Sequence, residues 1–225
     1  MNEPEVLTTT PFTSQYPQVG SDEVGTGDYF GPVCVCASYV TKDDVDFLVK
    51  LGVRDSKKLT DADMLKIGPL LMERIPHSLL IVTPQKYNQV HEENNLNAIK
   101  AKLHNQAYIN LAKKIELPSF KIIDQFTPET SYYRYLKNDT RIIRGIHFET
   151  KAEDKYLSVA VGSIISRYGF LKTWEEMEQK YNMTLPKGSG DKVDIVAQEF
   201  VERYGFDRLG EIAKLHFKNT EKIRV

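Results

Sequence analysis

The chain has 225 residues, 41% of them hydrophobic and 27% charged, with a formal net charge of −1. That mix belongs to a globular chain with a sizeable core and excludes disordered and collagen-like classes, and near-neutrality argues against a polycation that coats nucleic acid. No apolar run reaches the roughly 18–20 residues needed to cross a bilayer, and the polar N-terminus has no signal core. The two cysteines, Cys34 and Cys36, sit two apart on one side of a strand-like run and cannot easily bridge. They are expected to be small core residues of a chain in a reducing, cytoplasmic compartment with no membrane partner.

Charge is unevenly placed. Residues 1–50 carry 2 basic and 8 acidic side chains, while residues 51–225 carry a net of +5. Ordinary solvated charge accounts for this, and so does a metal site set in an anion-binding surface.

In chain order, residues 1–18 include Pro11 and Pro17 and show little apolar periodicity, and a flexible tail is expected there. Residues 19–225 are expected to form one domain. Val19–Glu23 and Pro32–Val40 read as strands flanking a glycine-rich loop. A helix is predicted over Asp61–Arg74 with Thr60 as its N-cap, then a short strand over Leu79–Val82. Leu96, Ile99, Leu103, Ala107, Leu111 and Ile115 recur at helical spacing. On that helix Lys100, Lys102, Lys113 and Lys114 read as a wet face. Phe120–Ile123 is a buried-strand run ending in Asp124, and Arg141–Ile146 suggests another strand. A second long helix is predicted from about Asp154 to Lys180, where Tyr168, Phe170 and Trp174 belong to the core. A loop at Pro186–Asp191 precedes two shorter helices near Asp194–Tyr204 and Arg208–Phe217. Strands interleaved with helices imply an α/β layered domain.

The most unusual segment runs from Gly20 to Pro32, GSDEVGTGDYFGP. A dinucleotide loop fails here because Phe30 stands where a third glycine is needed, and a Walker loop fails because no Gly-Lys-Ser/Thr follows. An EF-hand loop fails for want of alternating acidic ligands. What remains is an Asp-Glu pair at a strand end before a loop with two bare backbones. Neighbouring strand residues face opposite ways, so Asp22 and Glu23 share one site only if the strand ends or bulges there. Gly25 and Gly27 permit a tight turn and close approach of backbone N–H groups to a ligand. Asp124 follows a buried strand, at the edge where open α/β sheets place ligands. Glu153 stands where the second long helix is predicted to begin, a position that also suits the helix dipole. Four carboxylates at element ends fit one divalent-metal centre, because oxygen ligands gather Mg²⁺ or Mn²⁺.

These residues also match a family in order along the chain. Ser21–Pro32 resembles the first catalytic motif of type 2 ribonucleases H, specifically the HIII subtype. Arg54-Asp55-Ser56-Lys57-Lys58-Leu59 resembles the family's Asp-Ser-Lys-Lys-Leu motif, and Ile122–Phe126 the segment of its third acid. Glu149–Glu153, leading into Ser158–Tyr168, resembles the segment of the fourth, and Pro186–Gly190 a late HIII loop. Thr26, where HII enzymes carry arginine, and Glu153, where they usually carry aspartate, mark the subtype.

The resemblance implies an RNase H fold: a mixed five-stranded sheet flanked by helices, with extra C-terminal helices. It implies endonucleolytic hydrolysis of the RNA strand of an RNA/DNA hybrid, leaving 3′-OH and 5′-phosphate ends. Asp22, Glu23, Asp124 and Glu153 would be the catalytic, metal-holding acids, with Mg²⁺ or Mn²⁺ as cofactor in a two-ion site. Gly25, Thr26 and Gly27 are candidates for reading the 2′-hydroxyl. Ser56, Lys57, Lys58, Asn97 and Lys187 are candidates for contacts along the substrate. His104 and His147 are secondary candidates for proton transfer. The alternatives are HII-like incision at single ribonucleotides in duplex DNA and a non-catalytic hybrid-binding module. HIII members carry an N-terminal TBP-like domain that the residues ahead of the first motif are too few to form, so altered substrate affinity is expected. A monomer without an obligate protein partner is expected.

Overall fold

The computed structural model describes residues 15–224. The expected tail therefore falls mostly outside the described residues. At its end, Gln18 is already buried in a strand.

Five strands form one mixed sheet: β1 (Gln18–Val24), β2 (Val33–Val40), β3 (His77–Val82), β4 (Lys121–Asp124) and β5 (Ile146–Glu149), in the order β3-β2-β1-β4-β5. β1 pairs antiparallel with β2 and β2 with β3, whereas β1, β4 and β5 run parallel. This is the expected five-stranded sheet. The segment expected as a strand at Arg141–Ile146 instead contributes only its last residue, because β5 begins five residues later and ends three residues later. That register sets Asp124 opposite Glu149.

Side-chain alternation along the strands builds two layers. Val35 and Ala37 pack with Ala101, Tyr108 and Leu111 of α4 (Leu96–Leu111), whereas Cys34 and Cys36 join the clusters built on α6 (Leu157–Tyr181). Both cysteines are buried and free, and burial pushes both thiols up, Cys34 to about 12. α6 lies close against β1 and β2. A Cβ on Gly20 would come within 2.5 Å of Ser158 Oγ and Val159, and one on Gly162 within 2.8 Å of the Cys36 carbonyl.

α2 (Asp61–Arg74) begins where its capping box predicts, with Thr60 Oγ1 accepting from the Asp63 amide and Asp63 accepting from that of Thr60. Three short helices were not evident in the sequence: α1 (Val45–Lys50), α3 (Pro84–His91) and α5 (Glu129–Tyr135). Each is too short for a periodic pattern to stand out. Two other expectations change. α6 starts at Leu157, not Asp154, because Ala152–Asp154 forms a separate 3-10 turn after Lys151 in the left-handed region. After α7 (Asp191–Tyr204), the stretch expected as a helix over Arg208–Phe217 is a 3-10 turn at Phe206–Glu211 followed by irregular chain. Its backbone groups are used instead against the glycine loop: Gly31 donates to the Ile212 carbonyl and Lys214 to that of Tyr29.

Candidate active site

Three parallel strands end side by side at one edge of the sheet. Ser21 pairs with Ile123, so Asp22 and Asp124 are the next residues on neighbouring strands. Asp22 is on the α6 side of the sheet: its carbonyl accepts from Ser166 of α6, and Ser163 of the same helix acts to lower its carboxyl's pKa. Asp124 faces the same way, accepting from the Ala152 amide at 2.8 Å. That amide opens the 3-10 turn carrying Glu153, which brings the fourth acid to the same edge. The macrodipole reading of Glu153 is thus set aside, since its turn precedes the long helix.

Electrostatics reflect the crowding. Burial, then the charges of Glu23 and Asp124, push the Asp22 carboxyl well above its ordinary value. Burial also raises Asp124 to about 6, with Glu153 and Glu23 adding to it and the Ala152 amide opposing. These are the responses expected of carboxylates sharing one site.

Glu23 is the exception. Strand alternation turns it to the opposite face, where Lys100 Nζ lies 2.9 Å from Oε1 and His104 Nε2 lies 2.9 Å from Oε2. Burial raises its pKa, but His104 and Lys100 overcome that and hold it below the usual range. Glu153 is also engaged, through Oε1, by Lys57 at 2.9 Å. Consequently, among the described residues, no three ligating side chains converge as a ready-made ion cage.

The other candidates separate. Lys57 reaches both Glu153 and Asp154, so it belongs to the carboxylate edge. Lys58 pairs with Asp55 on its own turn and is otherwise exposed. Ser56 is buried in that turn. Asn97 sits in the first turn of α4, and no hydrogen bond ties it to the carboxylates. Lys187 pairs with Asp61 and lies over Trp174. Its loop touches the glycine loop directly: Gly188 donates to Asp28 Oδ1 and accepts from the Tyr29 amide. Gly25 has φ +93°, and a Cβ there would meet the Pro32 carbonyl at 2.1 Å, so the turn requires glycine. Gly27 is exposed, and nothing lies within 4 Å of where its Cβ would be. His147 is exposed and pairs with Glu149; on β5 it stands opposite Ile122, on the same face of the sheet as Asp124.

The largest correction concerns α4. Lys100, read from the sequence as part of a wet face, is buried against Glu23, and His104 is fully buried. A sequence signal existed: Lys100, His104 and Tyr108 recur every four residues and so share one helix face. Lys214 was also missed. It is fully buried, donating to the carbonyls of Phe30 and Gly31 at 3.0 and 2.6 Å.

Residues 19–220 match the family model described as Ribonuclease HII. The chain belongs to the ribonuclease HII family and is a ribonuclease H-type hydrolase. Within it, the chain is 44% identical over 220 residues to the Ribonuclease HIII of Staphylococcus aureus (strain Newman), covering 96% of this chain and 70% of that protein. It is 45% identical over 208 residues to the Ribonuclease HIII of Listeria monocytogenes serotype 4b (strain CLIP80459), covering 91% and 68%. The solved structure of Bst-RNase HIII in complex with Mn2+ matches with a TM-score of 0.88 and 41% identity, over 92% of this chain and 68% of that one. Ribonuclease H2 from Pyrococcus horikoshii OT3, at 22% identity and a TM-score of 0.75, shares the fold.

Proposed function

We propose that this chain hydrolyses the RNA strand of RNA/DNA hybrids endonucleolytically, using Mg²⁺ or Mn²⁺ held by Asp22, Asp124 and Glu153 with Glu23 beside them. The observation that carries the reading is Glu153 Oε2, a buried carboxylate oxygen with no hydrogen-bond partner, at an edge shared with Asp22 and Asp124. A buried, unsatisfied anionic oxygen is costly in a folded chain, and an all-oxygen donor set suits a hard divalent cation. When bound, such ions activate the attacking water and stabilise the leaving 3′ oxygen. The raised pKa values of Asp22 and Asp124 support the same reading, since like charges crowded at one edge call for a cation.

The chain's own groups supply the rest. Parallel strand ends fix Asp22 and Asp124 on one face, and the Ala152 amide orients Asp124. Lys57 holds Glu153 in reach until substrate and ions compete for it. The Gly25–Gly27 turn offers backbone groups with no side chain in the way at Gly27, which suits reading a 2′-hydroxyl. Lys187, on the loop bonded to this turn, is placed to meet the phosphate backbone. Residues 19–225 act as the catalytic domain, working as a monomer in the cytoplasm. Among the described residues, no helix is long and apolar enough to cross a membrane.

The test is strand-specific cleavage with Mg²⁺ and then Mn²⁺ on an RNA/DNA hybrid, a DNA duplex with one ribonucleotide, and double-stranded RNA. Hybrid cleavage, lost in Asp124→Asn, is expected. Incision only at the single ribonucleotide would move the chain to HII-like specificity. No metal-dependent cleavage of any duplex would refute the proposal.

A further inference from the structure

Three elements bring charge to one point between the carboxylate edge and the glycine loop. Asp61 opens α2, four residues beyond Lys57. Arg167 follows Ser166 on α6, whose hydroxyl donates to the Asp22 carbonyl at 3.2 Å. Lys187 precedes Gly188, whose amide donates to Asp28 Oδ1 at 2.6 Å. Both cations converge on the one carboxylate. Arg167 Nε and Nη2 each lie 2.9 Å from Asp61 Oδ1, and Lys187 Nζ lies 2.5 Å from Oδ2. Each cation also stands over a ring, Arg167 at 5.1 Å from the centroid of Phe170 and Lys187 at 5.9 Å from that of Trp174. Burial raises the Asp61 pKa, but Lys187 and Arg167 overcome that and hold it below its ordinary value.

The cluster is open to water, with the Asp61 side chain 42% exposed and that of Lys187 37%. Ion pairs so exposed are weak bonds and easily exchanged, and α2 already has its cap in Thr60. Two positive charges meet one negative charge, so the point stays net positive. One cation engages each carboxylate oxygen. A backbone phosphodiester offers the same arrangement, two free oxygens sharing one negative charge, to the same two donors.

We infer that Asp61 is a built-in stand-in for a backbone phosphate of the hybrid: Arg167 and Lys187 form a phosphodiester subsite, and the Asp61 carboxylate occupies it until substrate arrives. The carboxylate and the two rings keep both cations ordered, so little side-chain freedom is lost on binding. Each contact made to a phosphate breaks one to Asp61, and the freed carboxylate takes up a counterion. The subsite therefore holds substrate less tightly than the same cations would hold it unopposed.

The inference rests on the hybrid-cleaving reading proposed above, and the experiment separates the two. Binding of an RNA/DNA hybrid is measured by fluorescence anisotropy in EDTA over a series of KCl concentrations, with KM in Mg²⁺ beside it, for wild type, Asp61→Asn and Glu116→Gln. Glu116 is exposed and precedes β4, towards the sheet edge opposite the site. Asp61→Asn is expected to tighten binding about fivefold at low salt, the scale of one unit-charge interaction across about 4 Å of water. The slope of log affinity against log salt should steepen by up to about 0.9, since no freed carboxylate takes up a counterion. KM should fall with the dissociation constant, and Glu116→Gln should move neither. Weaker binding, or an unchanged affinity and slope, overturns the inference. So does equal tightening by Glu116→Gln, which is an effect of net charge alone. Asp61→Ser carries the same test if Asp61→Asn does not fold. A wild type that neither binds nor cleaves the hybrid overturns both readings. A wild type that does both, beside an Asp61→Asn variant that behaves identically, removes only the stand-in role.

Discussion

Lys100 and Lys214 are both buried lysines that brace the first motif, yet their surroundings are opposite. Lys100 meets a carboxylate and works by charge. Lys214 meets two backbone carbonyls, and burial lowers its pKa to about 7, with the Asp28 carboxylate opposing. A neutral amine has two N–H groups, and the carbonyls of Phe30 and Gly31 take both. The carboxylate edge is thus held by opposed charges that remain available to an incoming cation. The glycine loop is held by satisfied backbone polarity that leaves nothing to rearrange. One region is built to change partners on binding and the other to stay still.

This contrast can be broken most sharply at Asp124. Asp124→Asn is expected to reduce hybrid cleavage by about three orders of magnitude or more, as removal of a catalytic-site carboxylate does. In EDTA the variant should melt at the same temperature as wild type or slightly higher, because one of several crowded charges is gone. A large drop in melting temperature would make Asp124 a structural residue. Next in size is Gly25→Ala. With φ +93° and a 2.1 Å approach to the Pro32 carbonyl, it should cost about 3 kcal/mol or more in denaturant unfolding. A stable variant would mean that the loop is not held rigidly.

Lys214→Met orphans two buried carbonyls and is expected to cost roughly 1–3 kcal/mol at neutral pH. The pH dependence fixes the cause. The unfolded chain protonates Lys214 near its ordinary pKa, whereas the folded chain does so only near 7. Wild type therefore gains stability relative to Lys214→Met as pH rises from 7 towards 10, and loses that gain as pH falls back to 7. Urea melts of both proteins at pH 7 and pH 9 measure it, and a difference independent of pH would show the amine to be charged throughout.

Gly27→Ala sharpens the comparison in the other direction. Its open surroundings predict a stability change within about 0.5 kcal/mol, with hybrid affinity weakened several-fold if the loop backbone meets the ribose. Unaltered affinity would remove Gly27 from the interface. The smallest effect is expected at Glu211. Arg208, then Lys180 and Tyr181, hold it at about 2. Its contribution is present above its ordinary pKa and lost as pH falls through 2. As a surface network, it should shift unfolding by less than about 1 kcal/mol on Glu211→Gln.

Much of this was legible in the chain. The apolar run of Val33–Val40, the Thr60 cap and the periodicity from Leu96 place β2, α2 and α4 with little error, because each signal is local and carries its own physics. The four acids were legible as residues at element ends, and their family order supported them. The alternation rule even raised the question of whether Asp22 and Glu23 face one site, and the answer is that they face opposite sides. Less was legible where a short segment depends on distant partners. Arg208–Phe217 has helical-looking composition but spends its backbone bonds on Tyr29 and Gly31. Lys100 has the composition of a surface lysine, and only the approach of β1 shows that its ammonium is buried.

The sequence by itself therefore determined the α/β class, the family, and which carboxylates and glycines mark the first motif. Tertiary structure decided how those groups divide between the two faces of β1, which buried lysine carries a charge partner, and which loops brace each other. The physical reason is range. Periodicity, caps and turns act within a few residues, whereas burial and ion pairing at this edge join Glu23 to Lys100 and Phe30 to Lys214 across long stretches of chain.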